Sequence, residues 1–244
     1  MLQYKYIPII MYRHILVFVI KISIVLVCVL TLSLIFSVTK AQTKPQFIPF
    51  WRASAYAPAG FLGKVFPIEK TTIEASFELL NGGKLVDLSN KRIAWLVNGN
   101  VIKDGVNQKS VTFKNYAFAG ENAAVDIRVF NPNGQADTYS FTIPVASPKL
   151  VIESPYDKDN LTGKNLNLTA LPYFFNVSGL QELIFSWAVN GVSPEGNASE
   201  PEQLLVTIPG ATPLGVRVTV GASVENPASS IETAQDELIY SIVQ

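Results

Sequence analysis

The fold of this chain is decided by a seven-residue stretch that occurs twice. It reads Ile93-Ala94-Trp95-Leu96-Val97-Asn98-Gly99 in the first half of the sequence and Phe185-Ser186-Trp187-Ala188-Val189-Asn190-Gly191 in the second. Side chains two apart on a strand share a face, so the sequence predicts a structural core that contains Trp95, Val97, Trp187 and Val189. Asn-Gly follows at once and is the strongest short hairpin signal, because both residues tolerate positive φ. Each copy is therefore predicted to be a core strand that turns tightly into its neighbour.

Alternating segments surround both copies in the same order. Residues 71–79 and 123–130 alternate between apolar and polar side chains in the first half, and residues 165–170 and 216–224 carry the matching pattern in the second. Short strands separated by turn residues are typical of β-sandwiches, and matched landmarks indicate tandem repeats of one fold. The predicted fold class is all-β, with two tandem sandwiches at residues 42–146 and 147–244, preceded by an N-terminal hydrophobic helix.

The run Val125-Asp126-Ile127-Arg128-Val129-Phe130-Asn131-Pro132-Asn133-Gly134 resembles the late strands of PKD-like and related bacterial immunoglobulin-like domains. The repeated tryptophan strand is similar to strand C of that superfamily. The turn after it is Val-Asn-Gly, where a PKD domain usually has an acidic Gly-Asp-Gly turn. The resemblance implies two immunoglobulin-like β-sandwiches. Such domains commonly act as spacers, adhesive modules or partner-binding modules on cell surfaces.

The N-terminal segment predicts export. Residues 15–38 are apolar apart from Lys21 and a few hydroxyl side chains. The uninterrupted run from 22 to 38 is long for a signal-peptide core and short for a transmembrane helix. Two interpretations stay open for residues 1–41, namely a signal peptide cleaved near Ala41 and an uncleaved membrane anchor. Both place everything after residue 41 outside the membrane.

The exported part lacks the side chains that most catalytic sites need. The only histidine is His14 and the only cysteine is Cys28, and both lie in the N-terminal segment. Catalytic triads, Cys-His pairs and the usual zinc sites are therefore excluded after residue 41, as is a disulfide within the exported part. Four of the 19 basic residues and none of the 19 acidic residues lie in residues 1–41, so the remainder is mildly acidic. We expect no enzyme, no cofactor and no nucleic-acid partner.

The stretch 47–66 is rich in aromatic residues and prolines. One interpretation is that the aromatic side chains close the open end and edge of the first sandwich. The other is a contact surface for a glycan or peptide, with Phe50, Trp51, Tyr56 and Phe61 as partner-binding residues.

Two further groups of polar residues qualify as candidate sites. Near the start of the predicted second sandwich, oxygen ligands for calcium are offered by Glu153, Asp157, Asp159 and Asn160. The Gly and distal Glu of an EF-hand loop are missing. A solvated turn is the alternative interpretation. Asparagines of N-x-Ser/Thr sequons stand at Asn160, Asn167, Asn176 and Asn197, which would accept glycans only in a host that modifies such motifs.

These patterns favour a non-enzymatic, exported or membrane-tethered envelope protein whose sandwiches serve as structural or adhesive modules. Its expected partners are the membrane, through residues 15–38, and a protein or glycan outside the cell. The alternative is a secreted module that binds a glycan or peptide through residues 47–66.

Overall fold

A computed structural model gives the fold of residues 44–158, 161, 165–194, 199–209 and 212–243, together with Phe18, Lys21 and Ser23. The chain divides into one unit at Met1–Lys44 and a second at Pro45–Gln244. Apart from the three named residues, which are helical, the hydrophobic helix predicted at residues 15–38 lies outside the described part of the chain. Among the described residues, no helix has the length and apolar character that crossing a bilayer requires.

Residues 45–244 are all-β, with fourteen strands among the described residues and one short 3₁₀ helix at Leu180–Glu182. The first eight strands are β1 (Gln46–Ala53), β2 (Thr72–Asn81), β3 (Lys84–Leu85), β4 (Arg92–Val97), β5 (Asn100–Val106), β6 (Ser110–Lys114), β7 (Asn122–Phe130) and β8 (Ala136–Pro144). The remaining six are β9 (Lys149–Glu153), β10 (Asn165–Tyr173), β11 (Ile184–Val189), β12 (Gln203–Thr207), β13 (Arg217–Glu225) and β14 (Thr233–Ser241).

The first eight strands form an immunoglobulin-like sandwich. One sheet has the order β1-β2-β3, with β6 also paired to β2, and the other has the order β5-β4-β7-β8. Strands β1, β2 and β6 thus take the positions of strands A, B and E, while β4, β7 and β8 take those of C, F and G. The inward residues of both sheets meet in one core, in which Phe77 of β2 packs edge-on against Trp95 of β4 with 5.6 Å between ring centroids.

The last six strands repeat this arrangement with one strand fewer in each sheet. The sheets have the orders β12-β10-β9 and β11-β13-β14, so β11 holds the strand C position. A second core lies between them and contains Trp187, Phe175 and Tyr240. Trp95 is fully buried and Trp187 is 8% exposed, and the half-buried Val97 and Val189 pack against their respective cores.

The burial of strand β4 differs from the expectation in one respect. The alternating pattern predicts one buried face, yet Ala94 and Leu96 on the outer face of β4 are also buried. The reason is position, because β4 lies inside its sheet between β5 and β7, whose side chains flank these small and medium residues on both sides.

The Asn-Gly turns explain why the motif ends as it does. Asn98 and Asn190 have φ values of 48° and 50°, in the left-handed region that asparagine tolerates. The Asn98 side-chain Oδ1 accepts a hydrogen bond from Ala124 N at 2.9 Å, and Asn190 Oδ1 accepts one from Thr219 N at 2.9 Å. In both sandwiches the asparagine side chain therefore joins the turn to the neighbouring strand F by a hydrogen bond.

Candidate functional site

The four aromatic residues predicted as a contact surface lie in different places. Phe50 points to solvent from β1 and is 53% exposed, whereas its neighbour Trp51 points inward and packs against the first core. Tyr56 packs against the second core, and Phe61, which is 37% exposed, lies in the loop that follows. Successive side chains of a strand point to opposite faces, so Phe50 and Trp51 lie on opposite sides of β1. The four side chains therefore do not share one surface.

Tyr56 joins the two sandwiches through the backbone. Its N–H donates to the Phe175 carbonyl at 2.7 Å, and Phe174 N–H donates to the Tyr56 carbonyl at 2.7 Å, which forms an isolated antiparallel bridge. Phe174 has a φ of 63°, which is uncommon for a bulky residue and is kept only where the surroundings enforce it. Burial, and secondarily the nearby Glu202, raises the pKa of the Tyr56 phenol.

An aromatic cluster lies beside this bridge. Phe66 contacts both Trp51 of the first sandwich and Phe174 of the second, with centroid distances of 6.1 and 5.9 Å. Phe61 packs edge-on against Tyr173 at 5.4 Å, and Lys64 Nζ lies 3.6 Å from the Trp51 ring centroid. We call Trp51, Phe61, Phe66, Tyr173 and Phe174 the junction aromatics. Phe61 and Phe66 thus connect residues 51–66 to the second sandwich, and their edge-on ring pairs add to the burial energy.

A polar network continues the junction from the aromatic cluster into the second sandwich. Thr71, only 1% exposed, accepts a hydrogen bond from Ile68 N–H at its Oγ1 and donates from the same hydroxyl to Asn176 Oδ1 at 2.6 Å. Asn176 Nδ2 donates to the Glu69 carbonyl at 2.9 Å. The side-chain amide of Asn176 thus binds two residues of the first sandwich.

Glu232 completes the network as a buried carboxylate that is only 2% exposed. Its Oε2 accepts from Asn176 N–H at 2.8 Å and from Asn226 Nδ2 at 3.0 Å, and its Oε1 accepts from Asn176 Nδ2 at 3.1 Å. No lysine or arginine of the described residues forms an ion pair with it. The charge is stabilised by amide donors, which is the usual condition for burying an unpaired carboxylate.

The sequons have different structural settings. Asn176 Nδ2, the atom that would carry a glycan, donates to both Glu69 O and Glu232 Oε1. Asn167 is exposed on β10, as a modified strand residue would have to be. Asn160 and Asn197 lie outside the described residues. The structure therefore gives Asn176 a role in holding the junction.

The sequence offered one unused signal for this network. Asn131 and Asn226 each begin an Asn-Pro turn, and an acidic residue follows six positions later in both halves. Asn131 Nδ2 donates to Asp137 Oδ2 at 3.1 Å, just as Asn226 Nδ2 donates to Glu232 Oε2. The Asn131–Asp137 pair is exposed and the Asn226–Glu232 pair is buried. In the second sandwich the turn therefore forms part of the junction.

Two of the four predicted calcium ligands lie in the described part of the chain. Glu153 and Asp157 are exposed, and Asp159 and Asn160 lie outside the described residues. Where side chains are described, no group of three or more histidine, cysteine, aspartate or glutamate residues is arranged to hold a metal ion.

Phe50 borders a shallow groove on the outer face of the first sandwich. The groove has a volume of about 280 Å³ and is lined by apolar and polar residues of β1, β2 and β6. The polar ones include Arg52, Glu74, Ser110 and Thr112. Arg52 Nε donates to Glu74 Oε2 at 2.7 Å, so both charged groups lie beside the exposed ring. Small-molecule sites combine aromatic side chains with a few polar groups that orient the ligand.

No protein-family model matches the chain, and no curated protein matches its sequence. Among solved structures, the chain is similar to the three N-terminal domains of the Highly Immunogenic Outer Capsid protein of bacteriophage RB49. The identity is 10% over 79% of this chain and 59% of that chain, with a TM-score of 0.39. This chain thus spans less than two thirds of the length of that fragment.

Two other solved structures show weaker similarity. The fibronectin(III)-like modules of Clostridium thermocellum CbhA match with 11% identity over 80% of this chain and 95% of that chain, with a TM-score of 0.28. SGBP-B of the Bacteroides ovatus mixed-linkage glucan utilization locus, solved with a mixed-linkage heptasaccharide, matches with 14% identity over 80% of this chain and 47% of that chain, with a TM-score of 0.26.

Proposed function

We propose that this chain is an exported, non-enzymatic structural module in which two immunoglobulin-like sandwiches act as one rigid spacer. The observation that carries the proposal is the junction, where the Tyr56–Phe175 bridge, the junction aromatics and the Asn176–Glu232 network all connect the two halves. Only residues 145–148 separate β8 from β9, and Ala146 N–H donates to the Pro67 carbonyl at 2.9 Å. Short, hydrogen-bonded linkers and packed interfaces restrict domain motion.

The rest of the proposal is supported by the sequence. The absence of histidine and cysteine after residue 41 favours a non-enzymatic role, and the apolar residues 15–38 favour export with membrane tethering. A rigid pair of sandwiches would keep a binding surface on one sandwich at a fixed position relative to the other.

The test is a distance measurement between the two sandwiches. Spin labels are placed on cysteines introduced at the exposed Val101 and Leu205 in a Cys28→Ser background, and labelled protein is diluted with unlabelled protein. We expect one narrow distance distribution for the otherwise native chain. Asn176→Ala should broaden it, because it removes bonds to Thr71, Glu69 and Glu232.

Asn167→Ala is the matched control, since this exposed asparagine lies in the same sandwich and away from the junction network. A broad distribution in the parent chain, or the same narrow distribution in Asn176→Ala, would contradict the rigid-spacer proposal.

A second candidate function, glycan or peptide binding, is favoured by the groove beside Phe50. We expect Phe50→Ala to abolish binding of any ligand found in a screen of neutral oligosaccharides and short peptides by calorimetry, while leaving the melting temperature unchanged. Surface substitutions of this kind usually change stability by about 0.5 kcal/mol or less. Phe118→Ala is the control, because Phe118 is 60% exposed and lies outside the groove. Equal loss of binding in both variants would rule out a site at Phe50.

A further inference from the structure

A groove runs along the outer face of the sheet β11-β13-β14 in the second sandwich. Its wider part has a volume of about 650 Å³ and includes Gly221 and Glu237 among its lining residues. A neighbouring hollow of about 480 Å³ continues the groove toward Glu225. Three exposed residues, one from each strand, lie side by side and line both parts, namely Ser186, Ser223 and Gln235. Volumes of this size are typical of ligand sites.

The corresponding face of the first sandwich carries larger side chains. When the two tryptophan strands are aligned, Gly221 of β13 corresponds to Asp126 of β7. Ser223 likewise corresponds to Arg128. The Asp126 carboxylate also accepts a hydrogen bond from Ser140 Oγ at 2.6 Å, across the outer face of the first sheet. The second sandwich therefore has a groove where the first has a carboxylate and a guanidinium.

Neither the backbone nor the packing requires a glycine at position 221. Gly221 does not have the left-handed φ that favours glycine, and a Cβ added to it would meet Asp236 O at 3.9 Å, an ordinary van der Waals distance. Glycine inside a strand weakens the strand, and it often marks a place where a ligand or another backbone approaches closely. The missing side chain therefore deepens the groove at a cost to the strand.

The groove is acidic. Glu237 lines its wider part and Glu225 lines the continuation, and both are exposed. Among the described residues, no lysine or arginine forms an ion pair with either carboxylate or lines the groove. Residues 190–202, which connect β11 to β12, contain three glutamates and no basic residue. The charge of the groove is therefore complementary to a cationic ligand.

We propose that this groove binds an extended, basic segment of a partner protein, with one lysine or arginine at Glu225 and another at Glu237. Glu237 pairs with Gly221, which precedes Glu225 by four residues on β13, so the two carboxylates are about 13 Å apart along the strand. Basic side chains four positions apart in an extended segment have the same spacing and point to the same side. The hydroxyl and amide groups between the carboxylates can bind the backbone of that segment.

A basic segment fits this groove better than a glycan does. Among the described lining residues the one aromatic residue is Trp187, and its ring is buried in the second core. The groove therefore presents no aromatic face to a neutral sugar, and its carboxylates would repel an acidic one. The proposal goes beyond the spacer function and does not depend on it, since it concerns one sheet face and not the contacts at Asn176 and Glu232.

The test is fluorescence anisotropy of the intact protein with a labelled Ser/Thr peptide that carries two lysines four positions apart. We expect this peptide to bind, the same peptide with glutamines to bind more than tenfold more weakly, and added salt to weaken binding. Gly221→Val should reduce affinity more than tenfold by filling the groove, without lowering the melting temperature, since valine favours strands. Thr219→Val is the matched control, because Thr219 lies on the same face of β13 outside the groove.

Two charge variants test the carboxylates without changing the shape of the groove. Glu225→Gln and Glu237→Gln should each weaken binding by about threefold, and together by about tenfold. Glu153→Gln is the matched control, since it removes an exposed glutamate of the same sandwich from β9 and should leave affinity unchanged. The proposal would be overturned by a lysine peptide that fails to bind, by equal binding of the lysine and glutamine peptides, by a neutral oligosaccharide that displaces the peptide, or by an equal loss in Glu153→Gln. If Gly221→Val lowers the melting temperature, the charge variants decide.

Discussion

Trp95→Ala is expected to lower the free energy of unfolding of the first sandwich by about 3–5 kcal/mol, through the loss of buried aromatic volume. Trp95 is fully buried, its ring packs edge-on against Phe77, and its Nε1 donates to the Gln108 carbonyl at 2.7 Å. The substitution removes all three contributions and leaves a cavity between the two sheets. Chemical denaturation followed by circular dichroism measures the effect without relying on tryptophan fluorescence.

The second sandwich provides a graded comparison for this prediction. Trp187 is 8% exposed and its Nε1 donates to the Pro201 carbonyl at 3.0 Å, so Trp187→Ala should also destabilise, but by less than Trp95→Ala. Trp95→Phe should recover much of the loss because it keeps a ring against Phe77. An unfolding midpoint unaffected by Trp95→Ala would mean that strand C does not form the core of the sandwich.

The sequence was sufficient to predict the sandwich, because the core residues of a β-sandwich alternate with polar residues along each strand. Ile73, Ala75, Phe77 and Leu79 alternate along β2, and all four are buried. The all-β class and the tandem immunoglobulin-like arrangement are confirmed by the sheet orders. The burial of Ala94 and Leu96 could not be predicted, since it depends on which strands flank β4 and not on the residues of β4 itself.

The contacts of the junction could not be predicted from the sequence either, because they depend on which distant residues the fold brings together. Thr71 and Asn176 meet across more than one hundred residues of chain, and neither lies in a motif that signals contact with the other. The aromatic residues at 47–66 are visible in the sequence, but neither the prolines nor the number of rings reveals which rings face the neighbouring sandwich. The repeated Asn-Pro turn with an acid six residues later was visible, yet only the structure shows that Glu232 is buried where Asp137 is exposed.

Glu232→Ala is expected to lower the free energy of unfolding by about 2–4 kcal/mol, because it leaves buried donors without acceptors. The Asn176 N–H and the side-chain amides of Asn176 and Asn226 would each lose a hydrogen bond to the carboxylate. Asp137→Ala is the matched control, since it removes the corresponding acid of the first sandwich from an exposed turn. We expect it to change stability by about 0.5 kcal/mol or less.

Calorimetry of both variants checks the difference, and a double-mutant cycle then locates its origin. If Glu232 acts through Asn176, the Asn176→Ala and Glu232→Ala effects should be non-additive, as contacting residues typically show coupling of about 0.5–3 kcal/mol. The side chain of Asn176 also binds Thr71 and Glu69 of the first sandwich, so this coupling would transmit the loss of the carboxylate to the other half of the molecule. The native chain should therefore melt in one transition, and either variant should separate it into two. Equal effects of Glu232→Ala and Asp137→Ala, or strictly additive energies, would instead make Glu232 a local turn residue and leave the aromatic contacts as the connection between the sandwiches.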